Sequence, residues 1–235
     1  MLRRGELHLP MSPTANALTT ERRAVLQRRI RWIVTATIIY NVVEAIVAIS
    51  AGTIASSAAL IGFGLDSSIE VLSAAAVAWQ FTRRDPEQWE KGTLRVIAVA
   101  FFVLAAYVTV SSVLALIGRA HVEHSTLGIV ITALSVAIMP FLSFAERRAG
   151  QELGSATAVA DSKQTLICTY LSAAVLVGLV LNSLLGWWWA DAIAGLVIAG
   201  FAVREGVEAW RGDACATSVG MLLEDEHVAH GHEAT

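Results

Sequence analysis

Six long apolar segments constrain the fold of this chain more than any other feature. They cover residues 30–51, 56–81, 93–117, 125–144, 156–185 and 188–210. A helix that crosses a bilayer needs about 20 largely apolar residues, and each segment meets that length. Only 16% of the chain is charged, whereas an average soluble domain has about 25% charged residues. The sequence therefore predicts an all-α membrane protein, built as a bundle of six transmembrane helices.

The basic residues are strongly segregated along the chain. Of the 17 Lys and Arg residues, 15 lie before the first segment, around its start, between the second and third, between the fourth and fifth, or at the end of the sixth. Arg119 alone lies on the other side, and Lys163 falls within the fifth segment. Because Lys and Arg concentrate on the cytoplasmic side of membrane proteins, both termini are predicted to be cytoplasmic.

This topology divides the chain into three parts. Residues 1–29 are predicted to be a cytoplasmic basic N-terminal segment, with 20–31 as a basic helix on the inner leaflet surface. Residues 30–210 form the six-helix domain, with tight turns expected at Gly52-Thr53 and Gly186-Trp187. Residues 211–235 form a short cytoplasmic tail containing His and acidic residues. The tail is read either as a loose metal site or as a solubilising segment.

Four carboxylates fall inside the apolar segments, where a charged side chain is costly unless it pairs or binds something. They are Glu44, Asp66, Glu70 and Asp161. Asp66 and Glu70 are four residues apart and share one helix face near mid-span. Two like charges so close repel each other unless a cation or protons lie between them. This pair predicts a cation site inside the bundle.

The fifth segment places a polar stripe on one helix face. Asp161, Gln164 and Cys168 lie on it, and carboxylate, amide and thiol groups together suit a divalent cation. A thiolate shifts the preference toward zinc. The predicted metal ligands are Asp66, Glu70, Asp161, Cys168 and Gln164. Glu44 and Asn41, which share a face of the first segment, are predicted to support these ligands or to relay protons. Purely structural roles stay open for two of these residues. Cys168 could fill space as a small apolar side chain, and Glu44 could be protonated and serve as a hydrogen-bonding group.

Three short motifs, taken in order, resemble the cation diffusion facilitator family, also called the cation efflux family. The second segment reads GFGLDSSIE over residues 62–70, the fifth begins AVADS over 158–162, and the sixth begins WADA over 189–192. The resemblance covers nearly the whole membrane region. It implies exchange of a divalent metal, most often zinc, for protons through a tetrahedral site on the second and fifth helices.

The chain departs from this family in two respects. Where the family's fifth helix usually supplies a His and an Asp, this sequence has Gln164 and Cys168, which raises Asp161 as a substitute ligand. The usual C-terminal cytoplasmic metal-binding domain is not seen, so the chain resembles a membrane-domain-only branch of the family.

The expected function is proton-coupled efflux of a divalent metal, with Zn²⁺ as the transported ion and no cofactor. The alternatives are a metal sensor or accessory subunit that does not transport, and an exporter of small organic cations. No nucleophile with a base, phosphate-binding loop or redox motif appears, so the chain is not predicted to be an enzyme. The expected partners are the lipid bilayer, the metal ion and protons, with a homodimer as the candidate assembly and no nucleic acid. The expected location is the plasma (inner) membrane.

Overall fold

The computed structural model describes residues 20–81, 86–118, 122–153 and 156–211. Within these residues it contains six helices and no strand, so the predicted all-α six-helix bundle is confirmed. The helices are α1 (Thr20–Ala55), α2 (Ala58–Phe81), α3 (Pro86–Gly118), α4 (Thr126–Leu153), α5 (Ala156–Leu185) and α6 (Trp188–Arg211). The predicted His-containing tail, from residue 212 onward, lies outside the described residues.

Five of the helices, α1 to α5, are long and apolar enough to cross a membrane. Large apolar side chains such as Ile54, Val103, Phe141 and Leu184 are exposed on the outer surface, as expected of side chains that face lipid. The sixth helix carries a higher share of charged residues. Its small residues nevertheless pack against apolar residues of α3 along much of both helices, so α6 is part of the same bundle.

The helices pack as a closed ring in the order α1, α2, α3, α6, α5, α4. The second helix also contacts α5 and α6 across the ring. Apolar residues of α1, α2, α5 and α6 form one buried cluster, which includes Phe63, Val175 and Ile198. The second helix therefore packs against four of the other helices, α1, α3, α5 and α6.

The turn between α1 and α2 was predicted at Gly52-Thr53, and that prediction is wrong. The helix runs on to Ala55, and Ser56 adopts a left-handed conformation with φ of 54°. The amide of Ser57 donates to the carbonyl of Gly52 at 2.9 Å, which closes the helix end. Gly52 instead permits close helix packing, because a Cβ there would lie 2.8 Å from the backbone nitrogen of Ile61. The predicted turn at Gly186 is confirmed, with φ of 66°.

Residues 20–31 are not a separate helix on the membrane surface. They form the first turns of α1, which continues without a break to Ala55. Neither Gly nor Pro interrupts residues 20–51, so no residue there favours a helix end. Leu26 and Ile30 are buried against Ala149 of α4, and Arg22 pairs with Glu152 at 2.6 Å. This part of α1 therefore packs against the end of α4.

Candidate functional site

The centre of the candidate site is the acidic pair on α2. Asp66 is buried and Glu70 is partly buried, one helical turn further along. Helices α1 and α2 pack closely together near this acidic pair. A Cβ added at Gly64 would lie 2.8 Å from the side chain of Ile49 and 2.9 Å from its backbone nitrogen. Gly64 therefore allows close contact between α1 and α2 within one helical turn of Asp66.

Helix α5 brings a thiol to this pair. The Sγ atom of Cys168 lies 2.6 Å from Oε1 of Glu70, toward which it donates. One ligand atom each from Asp66, Glu70 and Cys168 lies within 4.8 Å of the others. In a tetrahedral site with metal–ligand distances of about 2.0–2.3 Å, neighbouring ligand atoms are about 3.5 Å apart. A small closure of this triad would therefore place one cation within reach of all three groups.

Helix α1 completes the surroundings of Glu70. The side-chain amide nitrogen of Asn41 donates a hydrogen bond to Oε2 of Glu70 at 2.7 Å, while the thiol of Cys168 donates to Oε1. Asn41 is buried, and its Oδ1 atom has no hydrogen-bond partner among the described residues. An amide oxygen is a ligand for divalent cations. Asn41, predicted only as a supporting group, thus presents a buried oxygen next to the triad.

The remaining predicted ligands of α5 lie before Cys168 in the helix. Gln164 is partly buried and lies one turn before Cys168, on the same helix face. The backbone of Asp161 lies within α5, but its side chain is outside the described part of the structure. The structure thus brings together Asp66, Glu70 and Cys168 from the predicted ligands, with Gln164 on the adjoining turn.

A second buried carboxylate lies between α1, α2 and α4. Glu44 is 1% exposed. Its Oε2 atom accepts from Ser67 at 2.7 Å, and its Oε1 atom accepts from Ser135. The hydroxyl of Tyr40 lies 2.7 Å from Ser135 Oγ, which extends the network by one group. Because Ser67 follows Asp66 directly, this network adjoins the triad through the backbone of α2.

The carboxylate of the WADA motif has a different role. Asp191, in the first turn of α6, is 1% exposed. It accepts from Ser57 Oγ and, at 3.4 Å, from the backbone amide of Ala59. These groups lie at the start of α2, where amides have no partner within the helix. Asp191 therefore caps α2 from the neighbouring helix and fixes the depth of its carboxylates.

Sequence reasoning missed three polar groups near the site. Ser135 and Tyr40 belong to the Glu44 network, and Glu205 of α6 is partly buried and near enough to Asp66 for their charges to interact. For two of them, Ser135 and Glu205, the sequence does contain a signal, because each lies at helical spacing from other residues of a buried helix face. Ser135 belongs to the buried face of α4, with Gly128, Thr132 and Met139. Glu205 follows the buried residues Ile198 and Ala202 at helical spacing.

Two comparisons with known proteins identify the family of this chain. The family model described as the cation efflux transmembrane domain matches residues 34–211. A curated relative, the cation-efflux pump FieF of Shewanella oneidensis, is 36% identical over 84 residues. That alignment covers 36% of this chain and 28% of the relative. The family match covers α2 to α6 and α1 from Val34 onward, and it therefore includes every residue of the triad.

Proposed function

Because the chain belongs to the cation efflux family, we propose that it transports a divalent metal cation, with Zn²⁺ as the first candidate, out of the cytoplasm. The observation that carries this proposal is the triad of Asp66, Glu70 and Cys168, in which Asp66 and Cys168 are buried and Glu70 is partly buried. Once ionised, two carboxylates and a thiolate inside a bundle that packs closely around them need a counter-charge. A dication supplies it, and the family match supports transport rather than catalysis.

The proposed ligand set is the triad with one further oxygen. Asn41 is the strongest candidate for the fourth position, because its buried Oδ1 is otherwise without a partner among the described residues. Gln164 and Asp161 remain the alternatives from α5. Four ligands match the usual coordination number of zinc. Drawn from α1, α2 and α5, they tie three helices to one ion.

The thiol supports zinc over the harder cations. Magnesium and calcium prefer sites made only of oxygen ligands, whereas Cys sulfur favours zinc and other softer metals. Cys168 binds zinc as the thiolate, so the proton that it now donates to Glu70 must leave when the metal arrives. The same applies to any proton held by the two carboxylates.

Proton exchange follows from this competition. Inside the bundle, the empty carboxylates are more stable when protonated, because a bare charge there is costly. Metal binding displaces the protons, and release of the metal on the far side lets protons return. The network of Glu44, Ser67, Ser135 and Tyr40 is proposed as the proton store beside the site. Alternate exposure of the site by relative movement of the helices would couple the two fluxes.

The proposed setting is the plasma (inner) membrane, with both termini in the cytoplasm. Efflux then moves metal from the side of the N-terminus of α1 to the side of the α1–α2 turn. A homodimer stays a prediction.

The direct test uses purified protein in liposomes that contain a zinc indicator and a pH indicator. When Zn²⁺ is added outside, we expect zinc entry together with a rise of internal pH, because protons leave as zinc enters. Protein-free liposomes are the control. Tight zinc binding without any entry would contradict transport and favour a sensor. Zinc entry without a pH change would contradict proton exchange, and uptake of an organic amine in place of zinc would favour the rival exporter.

A further inference from the structure

A basic cleft lies between the beginning of α1 and the end of α4, far from the triad. It has a volume of about 880 Å³. Its lining includes Arg22, Arg28, Arg29, Arg148, Trp32 and Phe144. Glu152 also lines it, so four arginines face one carboxylate and leave a formal excess of three positive charges. Such a cleft attracts an anion.

The cleft is built from packed helices. Leu26, Ile30 and Val34 of α1 form one buried cluster with Ala149 of α4, and Leu26 and Ala149 also line the cleft. At the far end, Arg22 and Glu152 join the same two helices through a 2.6 Å ion pair. The arginines are therefore carried by two helices that are packed together. An anion that binds them would not have to order a flexible loop.

Each helix pairs an arginine with an aromatic ring one turn nearer the membrane centre. Arg28 precedes Trp32 on α1, and Phe144 precedes Arg148 on α4, both at a spacing of four residues. The rings of Trp32 and Phe144 are 67% and 66% exposed, so they present apolar surface beside the cleft. Tryptophan at this position is typical of the interface between headgroups and acyl chains.

We propose that this cleft binds the headgroup phosphate of an anionic phospholipid from the leaflet that surrounds these helix ends. The arginines bind the phosphate through charge-assisted hydrogen bonds. The start of the acyl chains lies against Trp32 and Phe144. A free phosphate ion would satisfy the arginines but would leave both exposed rings uncovered, which favours the lipid. By the predicted topology, this is the cytoplasmic leaflet, where anionic lipids attract basic segments.

Native mass spectrometry of the full chain in detergent, without added metal, tests this binding. The probes are dioleoyl phosphatidylglycerol, dioleoyl phosphatidylcholine and inorganic phosphate. The test variant is Arg28→Ala with Arg148→Ala, one arginine from each wall of the cleft. The matched control is Arg31→Ala with Arg147→Ala, which removes the same charge from exposed positions on the same helices but outside the cleft.

We expect the wild type and the control to bind phosphatidylglycerol in preference to phosphatidylcholine. The cleft variant should bind it at least about tenfold more weakly, since each basic side chain at an anionic surface adds appreciably to binding. Thermal unfolding of both variants checks that each is folded. Equal loss in cleft and control variants would overturn the proposal, because it would indicate only a diffuse attraction of charges. Binding of inorganic phosphate as tight as that of phosphatidylglycerol would overturn the assignment to a lipid.

Discussion

Glu70 is the residue at which three helices meet. One carboxylate oxygen accepts from Asn41 of α1 and the other from Cys168 of α5, while Asp66 lies one turn away on α2. These hydrogen bonds hold the ligand groups close together before any cation arrives. A metal that replaces the thiol proton would keep the same three helices in contact. The proposed site is therefore largely formed in advance, which would lower the cost of ordering it on binding.

The substitution Cys168→Ser distinguishes two roles of this residue, a sulfur ligand of the metal and an apolar side chain that only fills space. A serine hydroxyl is a harder and weaker ligand for zinc than a thiolate. We expect zinc affinity to fall by about tenfold or more, with a smaller change for manganese, since loss of even an outer partner of a ligand costs about 10–100-fold. Competition with a fluorescent zinc indicator measures both affinities.

The control for this substitution is Thr169→Val, on the next residue of α5. The Thr169 hydroxyl bonds the carbonyl of Thr165 in its own helix, so its loss should leave both metal affinities unchanged. Unaltered zinc affinity in Cys168→Ser would show that the thiol is not a ligand.

Individual residues could be predicted from the sequence where a helical period or a motif marked them. Asp66, Glu70 and Cys168 were found in this way, because charge and thiol groups stand out in apolar helices. Tyr40 and Ser135 were not. Ser135 lies on a helical period of α4, but the contacts of both residues depend on the register of α1 against α4, which a single sequence does not contain. Asn41 was found, but its direct contact with Glu70 depends on how deeply α1 packs against α2.

Among the helices, α2 is the element whose position matters most. Its start is capped by Asp191 of α6 and Ser57, and it packs closely against α1 at Gly64. The sequence located this helix well but placed the preceding turn too early, because a Gly-Thr pair suggested a break. Residues 20–31 were predicted as a helix, but on the membrane surface. Their packing against α4 as the first turns of α1 could not be read from hydropathy.

The cap on α2 predicts a contrast between two substitutions of Asp191. Asp191→Ala removes the acceptor and leaves buried donors at the start of α2 without a partner. We expect this to lower the free energy of unfolding by about 1–2 kcal/mol, the usual cost of a lost helix cap. Asp191→Asn keeps an acceptor oxygen and should be closer to the wild type. Thermal unfolding in detergent measures the difference.

Equal stability of the alanine variant and the wild type would contradict the capping role. If instead the asparagine variant is stable but loses zinc transport, the charge of Asp191 takes part in transport and the assignment as a cap is incomplete.

At the scale of the whole molecule, the ring of helices encloses the polar network and exposes an apolar exterior. The number of helices in the described part of the chain is even, so both termini lie on the same side of the membrane. The distribution of Lys and Arg predicts that this side is the cytoplasm. This orientation places the α3–α4 connection outside and the end of α4 inside. The basic cleft then faces the inner leaflet.

Cysteine labelling tests this topology with a matched pair of exposed positions. Glu123→Cys lies in the α3–α4 connection, and Gln151→Cys lies near the end of α4. With Cys215 replaced by Ser, we expect a membrane-impermeant maleimide to label Glu123→Cys in intact cells. It should label Gln151→Cys only after the membrane is opened. The reverse pattern would invert the protein and the proposed direction of transport.

The central claim, that a divalent metal crosses the membrane through the acidic pair of α2, is tested most directly by zinc flux in liposomes with Asp66→Asn. An amide at this buried position should leave the fold intact. It removes the charge of one proposed ligand, so the zinc flux should fall by at least about 100-fold. This is more than the usual effect of losing a residue that only hydrogen-bonds a metal ligand. Glu208→Gln, a similar change at the ion-paired end of α6, should transport at the wild-type rate. Zinc flux through a folded Asp66→Asn protein at the wild-type rate would contradict the account.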